Sequence, residues 1–171
     1  MASSKRTSKG KTAQEGGHEF QDTVQQALTQ LQKTVRLRTI RLYDTRSAQG
    51  GIIPEQDGDF IVICHGNAWL IEAKASLNHE SLAASRAALT DLMKEHQAAA
   101  QRIWVRSGGF GLVVFHHLDS SMVELWRGDY VGLTRATPRE ALDIQMMFRC
   151  STKDLQATLA EVLKDPTKLF Y

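Results

Sequence analysis

Cysteine is scarce in this chain of 171 residues, and long apolar runs are missing. Cys64 and Cys150 lie far apart and form no CxxC or Cys/His pair, which argues against zinc and favours a reducing compartment. The longest apolar runs, 60–64 and 112–115, are far too short to cross a bilayer, and the amino terminus lacks the apolar segment of a signal peptide. We therefore expect a soluble, cytoplasmic protein with no membrane partner.

The chain is long enough for one well-buried domain and short for two. Its net charge of +2 hides an asymmetry, because residues 1–49 hold nine Lys and Arg against four Asp and Glu (+5), and the remainder holds twelve against fifteen (−3). A basic amino-terminal part favours a polyanionic partner. Residues 1–16 are predicted to be a disordered basic arm, which leaves 17–171 as a single domain.

Basic side chains fall into two groups that could contact DNA phosphates, one in the arm and one along a predicted strand. Binding to the DNA backbone needs only positive charge, so solvated surface explains either group about as well. The candidate DNA-binding residues are Lys5, Arg6, Lys9 and Lys11 in the arm, Arg36, Arg38 and Arg41 in the strand, and Arg46 in the following loop.

Apolar periodicity predicts helices alternating with short strands. The predicted fold is α/β, with a central mixed β-sheet flanked by α-helices. The predicted elements are a helix at 18–34, a strand at 35–43, a loop at 44–58, strands at 60–64 and 69–74, a connection at 75–80, a long helix at 81–103, strands at 110–116, 122–126 and 144–148, and a helix at 152–164.

The most informative segment is a predicted hairpin in which Asp59 heads one strand and Glu72-Ala73-Lys74 closes the next. The turn at 65–67 would fold the strands together and return Asp59 near Glu72. Residues two apart in a strand share a face and stand roughly 6.5 to 7 Å apart, so Glu72 and Lys74 project together while Ala73 points into the body. One carboxylate and one ammonium would then share a surface with a second carboxylate.

Two carboxylates with room for water suit Mg²⁺ or Mn²⁺, whose coordination is usually completed by substrate phosphate. Such an ion can polarise a phosphate and lower the pKa of an attacking water. Lys74 would orient that water or neutralise charge on the reacting phosphate. The alternative is a solvated salt bridge between Glu72 and Lys74, because a bare E-x-K is common by chance. The acid heading an apolar strand and the tight turn favour the metal site.

Further motifs accompany the hairpin between residues 17 and 130. They are Gly-x-x-Phe at 17–20, Gly66 in the turn, His96-Gln97 in the long helix, and Gly108-Gly109-Phe110 before an apolar strand. With the hairpin acids and lysine, this pattern resembles the PD-(D/E)xK nuclease superfamily, and within it the Holliday junction resolvases of the RecU type and their archaeal Hjc relatives. The resemblance implies a restriction-endonuclease-like fold and a dimeric, Mg²⁺-dependent endonuclease that nicks four-way DNA junctions symmetrically.

The resemblance also implies roles for individual residues. Asp59 and Glu72 would be metal ligands, and the Ala73 carbonyl would complete the metal shell. Lys74 would be the catalytic lysine. The supporting catalytic positions are Ser76, which would contact phosphate or water, and Gln97, which would support the site from the helix.

The chain departs from the family pattern at three places. The family's first helix usually supplies an acid, whereas Gln21 stands at the matching position, and Glu19, one or two places away, is the candidate metal ligand. Gly58 replaces the motif's proline, and Asp57 competes with Asp59, which is favoured because it directly heads the apolar strand. The 44–58 loop is shorter than the stalk of RecU-type enzymes and closer in length to the archaeal loop.

We therefore predict a homodimeric endodeoxyribonuclease that resolves branched DNA, the four-way junction, with Mg²⁺ or Mn²⁺. A repair, flap or restriction-type nuclease on the same fold, or a catalytically silent DNA-binding module, are the alternatives. The tryptophans Trp69, Trp104 and Trp126 are predicted to be core rather than base-stacking residues. The His116-His117 pair is predicted to be polar surface.

Overall fold

A computed structural model of the chain describes residues 13–42, 56–77, 89, 91–131 and 146–170. Five helices and six strands are formed by these residues. In chain order they are α1 (Ala13–Leu31), β1 (Leu37–Arg41), β2 (Phe60–Cys64), β3 (Asn67–Ser76), α2 (Glu95–Arg106), β4 (Phe110–His117), β5 (Met122–Arg127), α3 (Gly128–Val131), β6 (Met146–Ser151), α4 (Leu155–Lys164) and α5 (Thr167–Phe170).

The strands of the described residues form one six-stranded sheet in the order β1-β2-β3-β4-β5-β6. Every neighbouring pair is antiparallel except β3 and β4, which run parallel. A parallel pair needs a crossover connection, and α2 lies in that connection. The predicted α/β class, a mixed sheet with flanking helices, is confirmed.

The β2–β3 hairpin is closed by the turn that the sequence predicts. Cys64 pairs with Asn67, so only His65 and Gly66 lie between the strands. Both have positive φ, 50° and 86°, which is the backbone that a two-residue hairpin turn requires. The turn fixes the register, and with it the face on which each β3 side chain lies.

Helices cover the two faces of the sheet, and alternate β3 residues point to opposite sides. Trp69, Ile71 and Ala73 belong to the large core that contains the buried stripe of α1. The opposite face carries Glu72 and Lys74 together with a smaller buried cluster, which consists of Leu89, Met93, Val113, Phe115, Trp126 and Val131. Glu72 and Lys74 therefore share a face, as predicted, and Ala73 points into the core.

Helix α1 begins earlier than predicted, at Ala13 instead of His18. Residues 13–16, assigned to the basic arm, are therefore helical, and residues 1–12 lie outside the described part of the chain. Gly16 is buried, and a Cβ at this position would lie 2.5 Å from Leu118 Cδ1. Close packing on Leu118 thus explains a glycine in the first turns of this helix.

The predicted long helix at 81–103 is interrupted in its described part. Residues 89, 91 and 92 are helical, Met93 and Lys94 are not, and α2 starts anew at Glu95. The Gln97 side-chain oxygen accepts a hydrogen bond from the Lys94 backbone N–H at 3.3 Å, which satisfies a donor at the helix start. A side-chain contact of this kind, not apolar periodicity, sets where α2 begins.

Two strands also differ in length from their predictions. β1 ends at Arg41, two residues early, whereas β3 runs on to Ser76, so the predicted connection at 75–80 begins within a strand. Within the described residues, no helix combines the length and apolar character needed to cross a membrane.

Candidate active site

Asp59 lies directly before β2 and is held by four hydrogen bonds, one of which the Leu42 N–H donates to its carbonyl at 2.8 Å. The Asp59 backbone N–H donates to the carbonyl of Ile71, the partner of Phe60, at 3.0 Å, so Asp59 lies at the end of the β2–β3 ladder. Its Oδ2 accepts from the Ala73 N–H at 2.7 Å, and its Oδ1 accepts from Gln21 Nε2 at 2.9 Å. The first acid of the hairpin is thus fixed beside the second strand.

Glu72, Lys74 and Gln97 form a closed triangle on the α2 side of the sheet. Lys74 Nζ lies 2.6 Å from Glu72 Oε1, and the Gln97 amide donates to the same oxygen at 2.7 Å. The Gln97 carbonyl oxygen accepts a hydrogen bond from Lys74 Nζ at 3.0 Å. One neutral amide therefore bridges the carboxylate and the ammonium, as the resemblance implied for a supporting position.

Glu72 is completely buried, and its two carboxylate oxygens differ in their hydrogen-bond partners. Oε1 receives both contacts of the triangle, whereas Oε2 has no hydrogen-bond partner among the described residues. A buried anionic oxygen without a partner is costly, and such oxygens are usually satisfied by a metal or a proton. Oε2 is therefore the oxygen of this site that best fits the role of a metal ligand.

Burial and like charge both raise the pKa of the two acids. Desolvation, followed by the negative charge of Asp59, raises the pKa of Glu72 to about 8 from an ordinary 4.5, against the opposing effects of Lys74 and Gln97. Desolvation also raises the pKa of Asp59, although the Ala73 N–H and Lys74 act in the opposite direction. Two carboxyls that repel each other in a dry site are poised to gain a cation or a proton.

Helix α1 brings Gln21, not Glu19, to these acids. Gln21 donates to Asp59, whereas the Glu19 side chain is exposed. Residues two positions apart in an α-helix are separated by about 200° around its axis. Glu19 and Gln21 therefore flank the buried stripe of α1 on opposite sides. The structure does not bring Glu19 together with the predicted metal ligands, and the first helix contributes an amide there instead of an acid.

Gly58, which stands in place of the motif's proline, is buried just before Asp59. A Cβ at this position would lie 2.9 Å from Leu70 Cδ1 and 3.2 Å from the Ile71 carbonyl oxygen. The backbone here passes too close to β3 for a side chain. Asp57 is exposed, which agrees with the preference for Asp59 as the site acid.

The three strand arginines do not form one track. Arg36 and Arg38 are exposed, and Arg38 pairs with Ile63 on the α2 side of the sheet. Arg41 is an odd number of residues further on, so it points to the α1 side, where it contacts Gln25 and donates to Asp22 at 3.0 Å. The remaining predicted DNA contacts, Lys5, Arg6, Lys9, Lys11 and Arg46, lie outside the described residues.

Ser76 shares the face of Glu72 and Lys74 because it follows Lys74 by two positions in β3. It is buried, and its carbonyl accepts a hydrogen bond from the Leu118 N–H at 2.9 Å. Its predicted contact with phosphate or water stays a prediction, as do the catalytic roles of the other site residues.

A second buried polar group lies farther along the sheet. His117 is buried, contrary to the surface location predicted for it, and its Nε2 lies 3.3 Å from Glu124 Oε2. Arg149 donates to the other Glu124 oxygen at 3.1 Å. Trp69 and Trp126 are buried, as predicted for core residues.

The site residues fit a hard divalent cation that keeps part of its water shell. Asp59 and Glu72 offer carboxylate oxygens, and the Ala73 carbonyl points to the same strand edge as its N–H, which already reaches Asp59. Across the described ranges, no group of three or more His, Cys, Asp or Glu residues could hold a metal ion. The fit is therefore to Mg²⁺ or Mn²⁺ completed by water and phosphate, not to an all-protein cage.

Among solved structures, the chain is similar to Hjc of Archaeoglobus fulgidus, described as a Holliday junction resolvase from an archaeal hyperthermophile. The identity is 15%, the TM-score is 0.44, and the match covers 86% of this chain and 99% of that one. No protein-family model matches the chain, and no curated protein matches it. A similarity this low does not assign an activity, so the function has to be inferred from the side chains.

Proposed function

We propose that this protein is a divalent-metal-dependent endodeoxyribonuclease that cuts branched DNA, with the four-way junction as its preferred substrate and a homodimer as its working form. The observation that supports the proposal is the contact of Glu72 with Lys74 at 2.6 Å, with Asp59 near enough for its charge to raise the pKa of Glu72. Asp59 is held at the end of the hairpin ladder by its hydrogen bond to the Ile71 carbonyl.

In this proposal, Asp59 and Glu72 would hold Mg²⁺ or Mn²⁺, with the Glu72 Oε2 oxygen as the open position. When bound, the ion would polarise the scissile phosphate and lower the pKa of an attacking water. Asp59 cannot rotate freely, because Gln21 and the Ala73 N–H each hold one of its oxygens. The chain therefore supplies a rigid carboxylate, which favours an accurately placed ligand.

Lys74 would supply the positive charge opposite the reacting phosphate. Its side chain is only 15% exposed, so its charge acts in a poorly screened environment. Gln97 keeps Lys74 and Glu72 side by side by donating to one and accepting from the other. When phosphate enters, Lys74 Nζ would stabilise negative charge that develops on the non-bridging oxygens.

One observation favours a second candidate, a DNA-binding module without catalysis. The α1 side chain at the site is the amide of Gln21, so the described residues offer two carboxylates and not three. If two are too few to retain the cation, the surface would bind DNA through positive charge alone.

The decisive experiment compares labelled four-way junction, duplex and flap DNA with Mg²⁺, with Mn²⁺ and with chelator. We expect paired nicks on the junction only when metal is present. Lys74→Met should lower cleavage by at least about a hundredfold, the order of loss seen when one stabilising donor is removed from an active site. Lys153→Met, at an exposed lysine in the turn before α4, is the matched control and should cut normally.

Different cleavage results would contradict the proposed substrate, the proposed catalysis and the assignment of the site. Cleavage of duplex or flap DNA in preference to the junction would change the substrate class and keep the chemistry. A retarded but intact junction in both metals would favour the second candidate. Cleavage that survives Lys74→Met or chelator would contradict the assignment of this site.

A further inference from the structure

Helix α2 is attached to β3 by the polar side chains of Gln97, Gln101 and Trp104. Of these three, only Gln97 reaches the candidate active site. Trp104 Nε1 donates to the Ala68 carbonyl at 3.1 Å, and Gln101 Nε2 donates to the Leu70 carbonyl at 3.3 Å. Gln97 Nε2 donates to Glu72 Oε1 at 2.7 Å. Residue numbers fall along α2 as they rise along β3, so the helix runs antiparallel to the strand. Each successive contact lies two residues further along β3.

The spacing of these three side chains matches helix to strand. Positions 97, 101 and 104 are four and three residues apart, so they share one face of α2. Steps of four and three helical residues advance roughly 6 and 4.5 Å along the helix axis, and two strand residues advance about 6.6 to 6.8 Å, so successive side chains can reach alternate strand residues. The helix is therefore held at a fixed position along β3, not only against its face.

Three glycines leave the space that these anchors occupy, and at one of them, Gly128, a Cβ would lie 1.9 Å from Gln101 Oε1. A Cβ at Gly109 would lie 2.3 Å from the indole nitrogen of Trp104, and a Cβ at Gly111 would lie 2.4 Å from Gln101 Oε1. None of the three positions needs a glycine for its backbone conformation, because the positive φ angles among the described residues are those of His65, Gly66 and Gly108. All three glycines are thus explained by room for Gln101 and Trp104.

We propose that Gln101 and Trp104 are positioning residues, which fix α2 on β3 so that the Gln97 amide meets Glu72 and Lys74. The inference rests on the proposed function for its catalytic consequence, but the positioning itself does not. Gln101 is fully buried and anchors α2 one turn beyond Gln97. Without these anchors, α2 is free to slide by an ångström or more, and the Gln97 bridge is the contact that is lost.

The first test observes the Gln97 side-chain amide directly by NMR, in metal-free protein carrying ¹⁵N-labelled glutamine. Its signals are assigned by their loss in Gln97→Ala. We expect Gln101→Leu to speed hydrogen exchange of this amide by about tenfold or more, because a bond to a buried carboxylate is replaced by water. Trp104→Phe, which keeps an aromatic but smaller ring and removes the donor, should act in the same direction.

The matched control is Ile103→Ala, at an exposed position on the same helix. It should leave exchange of the Gln97 amide unchanged. Unchanged Gln97 signals in both folded anchor variants would overturn the inference, and Trp104→Phe decides the question if Gln101→Leu does not fold. This readout needs no nuclease activity, so its failure is distinct from failure of the proposed function.

The second test is kinetic and uses the cleavage assay on four-way junctions. Gln101→Leu and Gly111→Ala should each lower kcat by about tenfold or more with little change in KM, since supporting contacts of an active site are typically worth 10- to 100-fold. The double variant should lose no more than the worse single variant, because both changes remove the same anchor. A loss of thermal stability with unchanged kcat would show that the anchors are structural only and would overturn the positioning role.

Discussion

Glu72 combines complete burial with an ionisable carboxyl group and an incomplete set of hydrogen bonds. It is wholly inside the protein, it faces the charge of Asp59, and only one of its oxygens has hydrogen-bond partners among the described residues. Lys74 neutralises it in part, but a pKa near 8 shows that desolvation is the stronger effect. A side chain with this imbalance is typical of a ligand-binding site rather than of a structural ion pair.

The pH dependence of stability follows from the raised pKa of Glu72. A carboxyl with a higher pKa in the native than in the unfolded chain stabilises the native state at low pH, and that contribution disappears as pH rises from about 4.5 to about 8. The unfolding free energy of the metal-free protein should fall by up to about 1.4 kcal/mol per pH unit in this window through Glu72 alone.

Urea unfolding in chelator across this pH range measures the effect. Glu72→Gln is the control, because it cannot ionise, and the difference between wild type and variant isolates Glu72. A difference that stays constant with pH would contradict the raised pKa.

At the scale of the element, the rotation of α1 decides which side chain meets the acids. The apolar stripe of α1 was predictable from sequence, but the choice between Glu19 and Gln21 was not, since both border that stripe. Only the packing of α1 on β3 shows that the Gln21 side faces Asp59. A shift of the helix start cannot be read from periodicity either, because Gly16 is explained by a contact with Leu118, about a hundred residues away in sequence.

Placing an acid at the correct helix position should strengthen metal binding. Gln21→Glu puts a third carboxylate beside Asp59, and the gain in charge should tighten Mn²⁺ binding by about tenfold, even though the hydrogen bond to Asp59 is lost. Mn²⁺ titration followed by electron paramagnetic resonance measures the affinity.

Glu19→Gln is the companion variant for the residue that sequence reasoning favoured. It should leave Mn²⁺ affinity within about twofold of wild type, because Glu19 is exposed on the far side of the α1 stripe. Weaker binding in Glu19→Gln, with no gain in Gln21→Glu, would restore Glu19 as the ligand.

At the scale of the whole molecule, sequence reasoning predicted the sheet and the hairpin well because their signals are local. The turn at His65-Gly66, the apolar strands and the parity of Glu72 and Lys74 depend on neighbouring residues. The break before α2 depends on how the Gln97 side chain is used, and the separation of Arg38 and Arg41 onto opposite faces depends on the exact extent of β1. Gln101 and Trp104 carried a signal, since they follow Gln97 at helical spacing, but their targets are backbone carbonyls, which leave no trace in the sequence.

The predicted contact of the amino-terminal arm with DNA can be tested through the salt dependence of the dissociation constant. The four basic residues of the arm should each release about 0.9 counterion on contacting DNA, so replacing Lys5, Arg6, Lys9 and Lys11 with serine should lower the slope of log Kd against log salt by up to about 3.6. Fluorescence anisotropy on a labelled four-way junction measures the slope.

A matched variant changes four lysines or arginines elsewhere on the surface: Lys33, Arg102, Lys153 and Lys168. It keeps the chain length and the net charge of the arm variant. Equal slopes for the two variants would show that the arm has no special contact with DNA.

Asp59, Glu72, Lys74 and Gln97 lie within one stretch of the chain that contains the hairpin and α2. Among the described residues, Gln21 donates to Asp59 from outside this stretch, and so does the Leu42 N–H directly after β1, whereas β6 makes none of the side-chain contacts of the site. Substitutions in β6 should therefore leave these side-chain contacts intact, whereas substitutions at the end of β1 would reach the site through Asp59.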